Sequence, residues 1–379
     1  MHQDTEGYCV LFPKAKKGLN PAEVTIAELL KEQGYETMCI GKWHLGDHPD
    51  FLPTKQGFDR YFGIPYSNDM GASQRDINET SRGNPPLPLL RGDKVIEAPV
   101  HQESITYRYT VEALNFIKDN KDQPFFLYLP HTAVHGPLFP GKKFKGKSND
   151  GLYGDWVEEV DWSMGRIFEQ LKAYGVDDHT LVLFTTDNGS AREKQGSNLP
   201  LRGRKGRTDE GGMRVPCIAR WPGEVRAGKR CAEVAGTIDL LPTFAKLAGT
   251  RPAVGREIDG KDIWPLLSGR PAAKSPHKAY FYYQMDQLQA VRSGDWKLFV
   301  EMESKKRNWG DPEGPTELKL FNLKRDIHED NNVAAQNPGV VRELLSYAEE
   351  ARRDLGDVDR PGRGQRKAGL VTKGQPLVQ

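Results

Sequence analysis

Three pairs of polar side chains along this 379-residue chain follow apolar runs that predict β-strands. The pairs are Lys42 with His44, His131 with His135, and Asp187 with Asn188. An ammonium group can hold an anion, an imidazole can move a proton, and carboxylate and amide oxygens are ligands for Ca²⁺ or Mg²⁺. In an open α/β sheet, ligands bind beyond the carboxyl ends of the strands. The sequence therefore predicts one pocket served by three strands.

Each of these groups also has an ordinary structural explanation. A lysine and a histidine on a loop commonly face solvent, and Asp-Asn-Gly is a common turn sequence. The basic segment Gly203–Arg207 could hold an oxyanion or could be a solvated loop. Taken singly, none of these groups assigns a function.

The elements that would position these side chains alternate between strand and helix. Strands are predicted at 36–41, 124–130, 180–186 and 215–220, and helices from Asn20 to Gly34 and at 107–117, 157–171 and 238–247. Asn20, Pro21 and Glu23 match the capping residue, first position and third position of a helix. The alternation predicts a mostly parallel sheet covered by helices on both faces.

The pattern changes after about residue 275. Short strands are predicted at 279–283, 288–292, 296–300 and 317–321, with a closing helix at 340–355. A tight turn at 293–295 joins two of the strands. We therefore expect an α/β domain over 1–275, a small antiparallel sheet with one helix over 276–358, and a flexible tail over 359–379.

Composition excludes several classes of partner. The 54 basic and 52 acidic side chains give a formal charge of only +2, so nucleic acid is not an expected partner. The sequence has no run of 18 apolar residues, so no membrane span is predicted. The N-terminal residues lack the pattern of a signal peptide.

The order of the motifs is more specific than any one of them. The chain contains G-K-W-H-L-G, P-Y-S-N-D, H-G-P-L-F-P, T-T-D-N-G and R-K-G-R-T-D-E-G-G-M-R-V-P, in that order. This series resembles the sulfatase family, most closely its arylsulfatase-like and N-acetylgalactosamine-6-sulfatase-like members. The resemblance implies an alkaline-phosphatase-like fold and hydrolysis of sulfate esters, of a sulfated sugar or an aryl sulfate. Family members are usually periplasmic or secreted.

The resemblance also implies roles for residues that hold the substrate. Lys42 and Lys205 match lysines that contact the sulfate oxygens, where their charges stabilise the transition state. His135 matches the histidine that protonates the leaving oxygen. Ser67 matches a hydroxyl on the substrate side.

Further roles concern the cofactors of the family. His44 matches the histidine that assists release of sulfate from a covalent intermediate. Asp187 and Asn188 match two ligands of the divalent cation, usually Ca²⁺. The nucleophile of the family is a formylglycine, made from the first residue of C-x-P-S-R or S-x-P-S-R.

That nucleophile motif is missing from the printed sequence. None of the four cysteines has a proline two residues later, and no serine begins the alternative motif. The Asp pair that completes the family's cation site is also missing; Asp177-Asp178 precedes a strand instead of following one. Either Met1 is internal to a longer protein, or the protein is shortened and inactive. The retained lysines, histidines and cation ligands favour the first explanation, because buried charges are costly without partners.

Two other functions are considered. One is a non-catalytic protein that binds sulfate or a sulfated glycan through Lys42, His135 and Lys205. The other is a phosphatase or phosphodiesterase, which the sequence disfavours because a two-metal site needs several Asp and His clusters.

Overall fold

The computed structural model describes residues 10–71, 84–191, 196–252, 255–302, 317–358 and 360–378. The strands are β1 (Lys17–Gly18), β2 (Glu36–Lys42), β3 (Arg60–Ile64), β4 (Leu89–Arg91), β5 (Lys94–Glu97), β6 (Phe125–Tyr128), β7 (Val182–Thr185), β8 (Cys217–Arg220), β9 (Tyr280–Gln284), β10 (Gln287–Ser293), β11 (Trp296–Phe299), β12 (Lys319–Asn322), β13 (Gly356–Asp357), β14 (Arg360–Pro361) and β15 (Gly369–Leu370). The helices are α1 (Ile26–Lys31), α2 (Ile105–Asp119), α3 (Gly151–Ala173), α4 (Glu210–Met213), α5 (Leu240–Leu247), α6 (Trp264–Leu267) and α7 (Pro338–Asp354). In the described ranges, no helix has the length and apolarity that crossing a bilayer requires.

The chain forms two compact units. The first unit comprises Asp4–Thr180, Leu241–Arg256 and Lys367–Gln379. The second unit includes Leu181–Leu240 and Glu257–Arg366.

The first unit is built on a five-stranded sheet with the order β5-β4-β3-β2-β6. Strands β3, β2 and β6 are parallel, with Lys42 opposite Ile64 and Glu36 opposite Phe125. Strands β4 and β5 add an antiparallel hairpin at one edge. The parallel arrangement predicted for β2 and β6 is confirmed, whereas β3 between β2 and the hairpin was not predicted. Three adjacent strands therefore end at the same edge of the sheet.

Helices cover both faces of this sheet. Successive side chains of a strand point to opposite faces. Cys39 and Tyr61 pack in one cluster with Ala27 of α1. Phe62, the residue after Tyr61, meets Tyr109 of α2 edge to face at 6.1 Å between ring centroids. Helices α1 and α2 therefore lie on opposite faces, as the sequence predicts for an α/β fold.

Helix α1 begins later than its sequence predicts. The Thr25 hydroxyl accepts a hydrogen bond from the Glu28 amide, and the Glu28 carboxylate accepts one from the Thr25 amide. This reciprocal capping box satisfies two amide groups at the helix start. Asn20 instead accepts from the Ala22 amide in a local turn. The predicted start at Asn20 is wrong because the Thr25–Glu28 pair provides a better cap.

The second unit contains the predicted C-terminal antiparallel sheet. Its strand order is β12-β11-β10-β9, and α7 packs on β10 and β11. Ser293 pairs with Trp296, so Gly294 and Asp295 form the predicted tight turn. Strand β8, expected in a mostly parallel sheet, instead runs antiparallel to β7.

The segment expected to be a flexible tail has regular structure in two places. Strand β14 pairs with β13 in the second unit. Strand β15 pairs with β1 in the first unit, where Leu370 lies opposite Lys17. These ladders connect the end of the chain to structured elements.

Strand β6 is an apolar edge of the first unit's sheet. Among the described strands it pairs only with β2. Phe126 stacks on Phe58 at 6.0 Å between ring centroids, and the Tyr128 side chain is 44% exposed. An unpaired, apolar strand edge is a template for pairing with another chain.

We predict that this 379-residue chain self-associates through β6. The substitution Tyr128→Lys should lower the association constant in sedimentation velocity, because charge on an edge strand opposes strand pairing. Tyr107→Lys is the matched control, since Tyr107 is an exposed tyrosine on α2. A chain that stays monomeric over the accessible concentrations, or equal effects of the two substitutions, would contradict the prediction.

Candidate active site

The carboxyl end of β2 carries Lys42 because Gly41 lets β6 approach closely. Gly41 has a φ of +132°, and a Cβ atom there would lie 2.0 Å from the Pro130 carbonyl oxygen. The Lys42 amide donates a 2.8 Å hydrogen bond to the same oxygen. Any larger residue at position 41 would separate the two strand ends. The glycine of the G-K-W-H motif therefore fixes where Lys42 leaves the sheet.

His44 is held in the form of a neutral base. Its amide donates to the Pro65 carbonyl at 3.0 Å, and its ring Nε2 lies 3.0 Å from the Leu11 carbonyl oxygen. Burial, followed by the charge of Lys42, lowers the pKa of His44 to about 4. A carbonyl can only accept, so Nε2 carries the hydrogen and Nδ1 keeps its lone pair. At neutral pH this imidazole is neutral and keeps its Nδ1 lone pair.

His135 follows β6 and meets residues that follow β3. Its Nδ1 lies 2.8 Å from the Gly136 carbonyl oxygen, 3.2 Å from Asn68 Oδ1 and 3.3 Å from Ser67 Oγ. The carbonyl at the shortest distance requires a hydrogen on Nδ1. In the neutral ring, Nε2 then carries the lone pair. The structure thus brings the predicted residues Ser67 and His135 into contact.

A buried pair of amides orients this histidine. Asn68 Nδ2 lies within hydrogen-bond distance of three acceptors: Gln102 Oε1 at 3.1 Å, the Pro137 carbonyl at 3.1 Å and the His135 carbonyl at 3.4 Å. Gln102 Nε2 donates back to the Asn68 carbonyl at 3.2 Å. The three acceptors fix the amide so that its Oδ1 faces the imidazole. Sequence analysis missed both residues: Asn68 adjoins Ser67 in a recognised motif, but nothing in the sequence marks Gln102.

Lys42, His44 and His135 share one electrostatic environment. The charges of Lys42 and His135 lower the pKa of His44, and that of Asp69 raises it. Asp69 Oδ1 also lies 3.9 Å from His135 Nδ1. The predicted residues of the first unit are therefore neighbours beyond the ends of three adjacent parallel strands.

In the second unit, the segment after β7 is fastened to the loop that carries Lys205. The Lys205 amide donates to the Ser190 carbonyl at 3.1 Å, and the Gly189 amide donates to the Gly212 carbonyl at 3.2 Å. A Cβ atom on Gly189 would lie 1.8 Å from the Gly211 carbonyl oxygen, so only glycine fits there. Asp187 and Asn188, which precede Gly189, are thus placed by the same loop that presents Lys205.

Asn198 joins these two loops through its side chain. Its Oδ1 accepts from the Ser190 amide at 2.8 Å, and its Nδ2 donates to the Gly203 carbonyl at 3.1 Å. Sequence analysis missed this residue, because its partners are backbone groups that no motif marks.

The described residues do not by themselves form a site suited to Ca²⁺. Asp187 and Asn188 supply at most three side-chain oxygen donors. Over the described ranges, no group of three or more His, Cys, Asp and Glu side chains is arranged to hold a metal ion. Ca²⁺ takes six to eight oxygen ligands. Convergence of the residues of the second unit with those of the first on one ligand stays a prediction.

His131, which precedes the site histidine on the same loop, lies in an unusual environment. Both of its ring nitrogens are buried and lack a hydrogen-bond partner. Its ring packs at 6.3 Å between centroids from Tyr109. Burial lowers the pKa of His131 to about 4. This imidazole is therefore neutral in the folded protein at neutral pH.

The fold agrees with the comparisons to known proteins. A family profile described as sulfatase matches residues 2–250, and one described as the C-terminal region of aryl-sulfatase matches residues 275–363. The chain belongs to the sulfatase family, whose members hydrolyse sulfuric esters, and its fold is alkaline-phosphatase-like.

Individual relatives support this assignment. N-acetylgalactosamine-6-sulfatase of Canis lupus familiaris is 39% identical over 295 residues, which are 74% of this chain and 55% of that protein. Arylsulfatase A of Homo sapiens is 36% identical over 367 residues, 89% of this chain and 72% of that protein. The solved PsFucS1 sulfatase from Pseudoalteromonas sp. has a TM-score of 0.77 at 26% identity, covering 86% of this chain and 72% of that one. The chain thus spans little more than half of the first relative.

His131 should make the folded protein sensitive to acid. Its folded pKa of about 4 lies below the value of about 6.5 expected in the unfolded chain. Between these values the unfolded chain binds the proton and the folded chain does not. The stability contribution is therefore complete above pH 6.5 and is lost as the pH falls toward 4.

We predict that His131→Leu reduces this acid sensitivity. At about 1.4 kcal/mol per pH unit, the loss of unfolding free energy between pH 6.5 and pH 5 should shrink by about 2 kcal/mol. Urea unfolding at the two pH values measures this difference. The pH dependence that other groups such as His44 contribute is common to both proteins and cancels. The exposed His101 provides the control His101→Leu. Equal pH dependence in the His131 variant and the unmodified protein would refute the prediction.

Proposed function

We propose that this chain carries the sulfate-binding and proton-transfer groups of a sulfuric ester hydrolase. The observation that supports this most directly is the arrangement of His44 and His135. The His44 imidazole is neutral with a lone pair on Nδ1, and the His135 imidazole holds its Nδ1 hydrogen against the Gly136 carbonyl. A reaction that gives a proton to a leaving alcohol and later removes one needs such a complementary pair.

In this proposal, Lys42 and Lys205 bind the sulfate oxygens. A sulfate ester is a monoanion, and its charge shifts onto the bridging oxygen as the ester bond breaks. Fixed ammonium groups stabilise that charge without reorganising. The Ser67 hydroxyl, already 3.3 Å from His135 Nδ1, contacts the substrate beside the leaving oxygen.

His135 acts as the general acid on the leaving oxygen. Its Nδ1 hydrogen is committed to acceptors on the protein side, so the proton that reaches the substrate comes from Nε2. His44 acts as the general base during release of sulfate, at Nδ1. Both roles follow from which ring nitrogen the protein holds.

Sulfatases use two further groups, a formylglycine and a Ca²⁺ ion. A formylglycine supplies the nucleophile in sulfatases, and no C-x-P-S-R or S-x-P-S-R motif occurs in these 379 residues. Asp187 and Asn188 are proposed as two ligands of the Ca²⁺ ion. We assign no step to either cofactor, because the described residues do not complete their sites.

The proposed substrate is a sulfated sugar or an aryl sulfate. The names of the relatives support this class, since one is named for an N-acetylgalactosamine 6-sulfate and another for aryl sulfates. The near balance of charge, +2 overall, supports a small or glycan substrate in preference to a nucleic acid.

A second candidate is a protein that binds sulfate or a sulfated glycan without hydrolysing it. This alternative would use Lys42, His135 and Lys205 as anion contacts. Incubation with a chromogenic aryl sulfate separates the two: turnover lost in His135→Ala supports the hydrolase, and sulfate binding without turnover supports the binding protein.

We predict that the chain binds inorganic sulfate and that Lys42→Met weakens this binding about tenfold or more. A hydrogen bond to a charged group contributes about 1.5–3 kcal/mol, which corresponds to that range. Isothermal titration calorimetry measures the dissociation constant. Lys94→Met, at an exposed position on β5, should leave it unchanged. Equal affinities of the Lys42 and Lys94 variants would argue against an anion site at the end of β2.

We also predict that this chain alone binds Ca²⁺ weakly, with a dissociation constant well above the micromolar range. Asp187 and Asn188 supply at most three side-chain oxygens, too few for an ion that takes six to eight ligands. Calorimetry with CaCl₂ tests this. Micromolar affinity that Asp187→Asn abolishes would show that the chain completes a cation site.

A further inference from the structure

A fully buried ammonium group lies in the C-terminal sheet. Lys297, on β11, has no exposed surface. Its Nζ lies 3.1 Å from Glu210 Oε1 and 2.9 Å from Glu329 Oε1, and it donates a 2.8 Å hydrogen bond to the Thr208 carbonyl. The Tyr282 ring centroid is 4.3 Å away, within range of a cation–π contact.

The charges around Lys297 balance. Arg292, opposite Lys297 on β10, donates to Glu210 Oε2 at 3.0 Å, and the Tyr282 hydroxyl donates to Glu210 Oε1 at 2.9 Å. Burial tends to raise the pKa of Glu210, but the charges of Lys297 and Arg292 hold it below its usual value. Two cations thus meet two carboxyl groups, Glu210 and Glu329. Burial raises the pKa of Glu329 above its usual value, and the charge of Lys297 opposes that rise. Removing one member would leave a buried charge without its partner.

Several partners of the sheet belong to the loop that carries Lys205. We call residues 202–213 the Lys205 loop. Thr208 and Glu210 follow Lys205 by three and five positions, and both contact Lys297. The Thr208 hydroxyl also donates to Gln289 Oε1 of β10 at 2.7 Å. The loop is therefore bonded to two adjacent strands of the C-terminal sheet.

Glu329, which follows β12, fastens the same loop at two further points. Its Oε2 accepts from the Glu210 amide at 2.8 Å. Its carbonyl oxygen accepts from Arg202 Nη1 at 3.2 Å. Arg202 and Glu210 lie on either side of Lys205 in sequence, so the anchor holds both arms of the loop.

Backbone hydrogen bonds connect the anchored residues of the loop to the turn that contains Lys205. The Gly211 amide donates to the Arg202 carbonyl at 2.6 Å, which closes the loop at its base. The Arg207 amide donates to the Arg204 carbonyl at 3.0 Å, which forms a turn around Lys205. Short hydrogen-bonded turns move as units when their ends are displaced.

We propose that Lys297 is a positioning residue for Lys205: its buried ion network holds the Lys205 loop in the conformation that binds sulfate. The network makes the C-terminal sheet a determinant of sulfate affinity, although Lys297 contacts no substrate. The inference rests on the proposed role of Lys205 in sulfate binding. In this proposal, Lys297 affects sulfate affinity in addition to the stability of the fold.

The first test compares Lys297→Met with Lys319→Met in the full chain. Lys319 is exposed on the neighbouring strand β12. Hydrogen exchange is followed at the amides of Lys205, Arg207, Gly211 and Gly212. In Lys297→Met these amides should exchange about tenfold faster or more, because local opening costs less free energy once an anchor is lost. Inorganic sulfate should bind about tenfold more weakly by calorimetry, while Lys319→Met changes neither.

Further variants keep the test decisive. Should Lys297→Met fail to fold, Lys297→Met with Glu329→Gln removes opposite charges together, and Thr208→Val cuts only the hydroxyl link to Gln289. Either variant, once folded, should show faster loop exchange and weaker sulfate binding. A role confined to fold stability would lower the unfolding midpoint and leave both readouts of the folded protein unchanged, which overturns the proposal.

Lys205→Met distinguishes this inference from the proposed function. It should weaken sulfate binding without accelerating exchange in the loop. Unchanged sulfate affinity in Lys205→Met would overturn the role of Lys205, and with it the functional consequence of the anchor. Faster loop exchange in Lys297→Met would still establish the anchor itself, and unchanged loop exchange would overturn it.

Discussion

The close parallel pairing of β2 with β3 and β6 is the constraint on which the first unit depends. The pairing is possible because Gly41 leaves room for the Pro130 carbonyl, so the strand ends lie side by side. The positions of the strand ends constrain where the residues that follow them lie. An ammonium group, two imidazoles and a hydroxyl become neighbours although up to 93 positions separate them (Lys42 to His135).

The sequence predicted this part of the site because local signals and order coincide there. Strand-like runs ending in polar residues mark β2 and β6, and the motif series places them in one family. The small antiparallel sheet could also be predicted from the sequence, because alternating runs and a Gly-Asp turn mark its strands. Lys42, Ser67 and His135 could therefore be named from the sequence. The structure places Ser67 Oγ 3.3 Å from His135 Nδ1, and the roles of the three residues stay a prediction.

The remaining features depend on partners distant in sequence. Gln102 orients His135 only through Asn68. Nothing in the sequence of β11 marks Lys297, whose role depends on its contacts with Glu210 and Glu329. No local pattern reports such a partner. The start of α1 was wrong for a different reason: two sets of capping residues lie five positions apart, and only the folded contacts choose Thr25 over Asn20.

The ion network of the second unit has a consequence for how such proteins can be altered. Residues near 202–213, 282–297 and 329 share charges that must balance inside an apolar interior. In a chimera that takes its anion-binding loop from one homologue and its C-terminal sheet from another, the buried charges of the loop would not match those of the sheet. The boundary between interchangeable modules therefore cannot fall between the loop and the sheet, despite the long stretch of sequence that separates them.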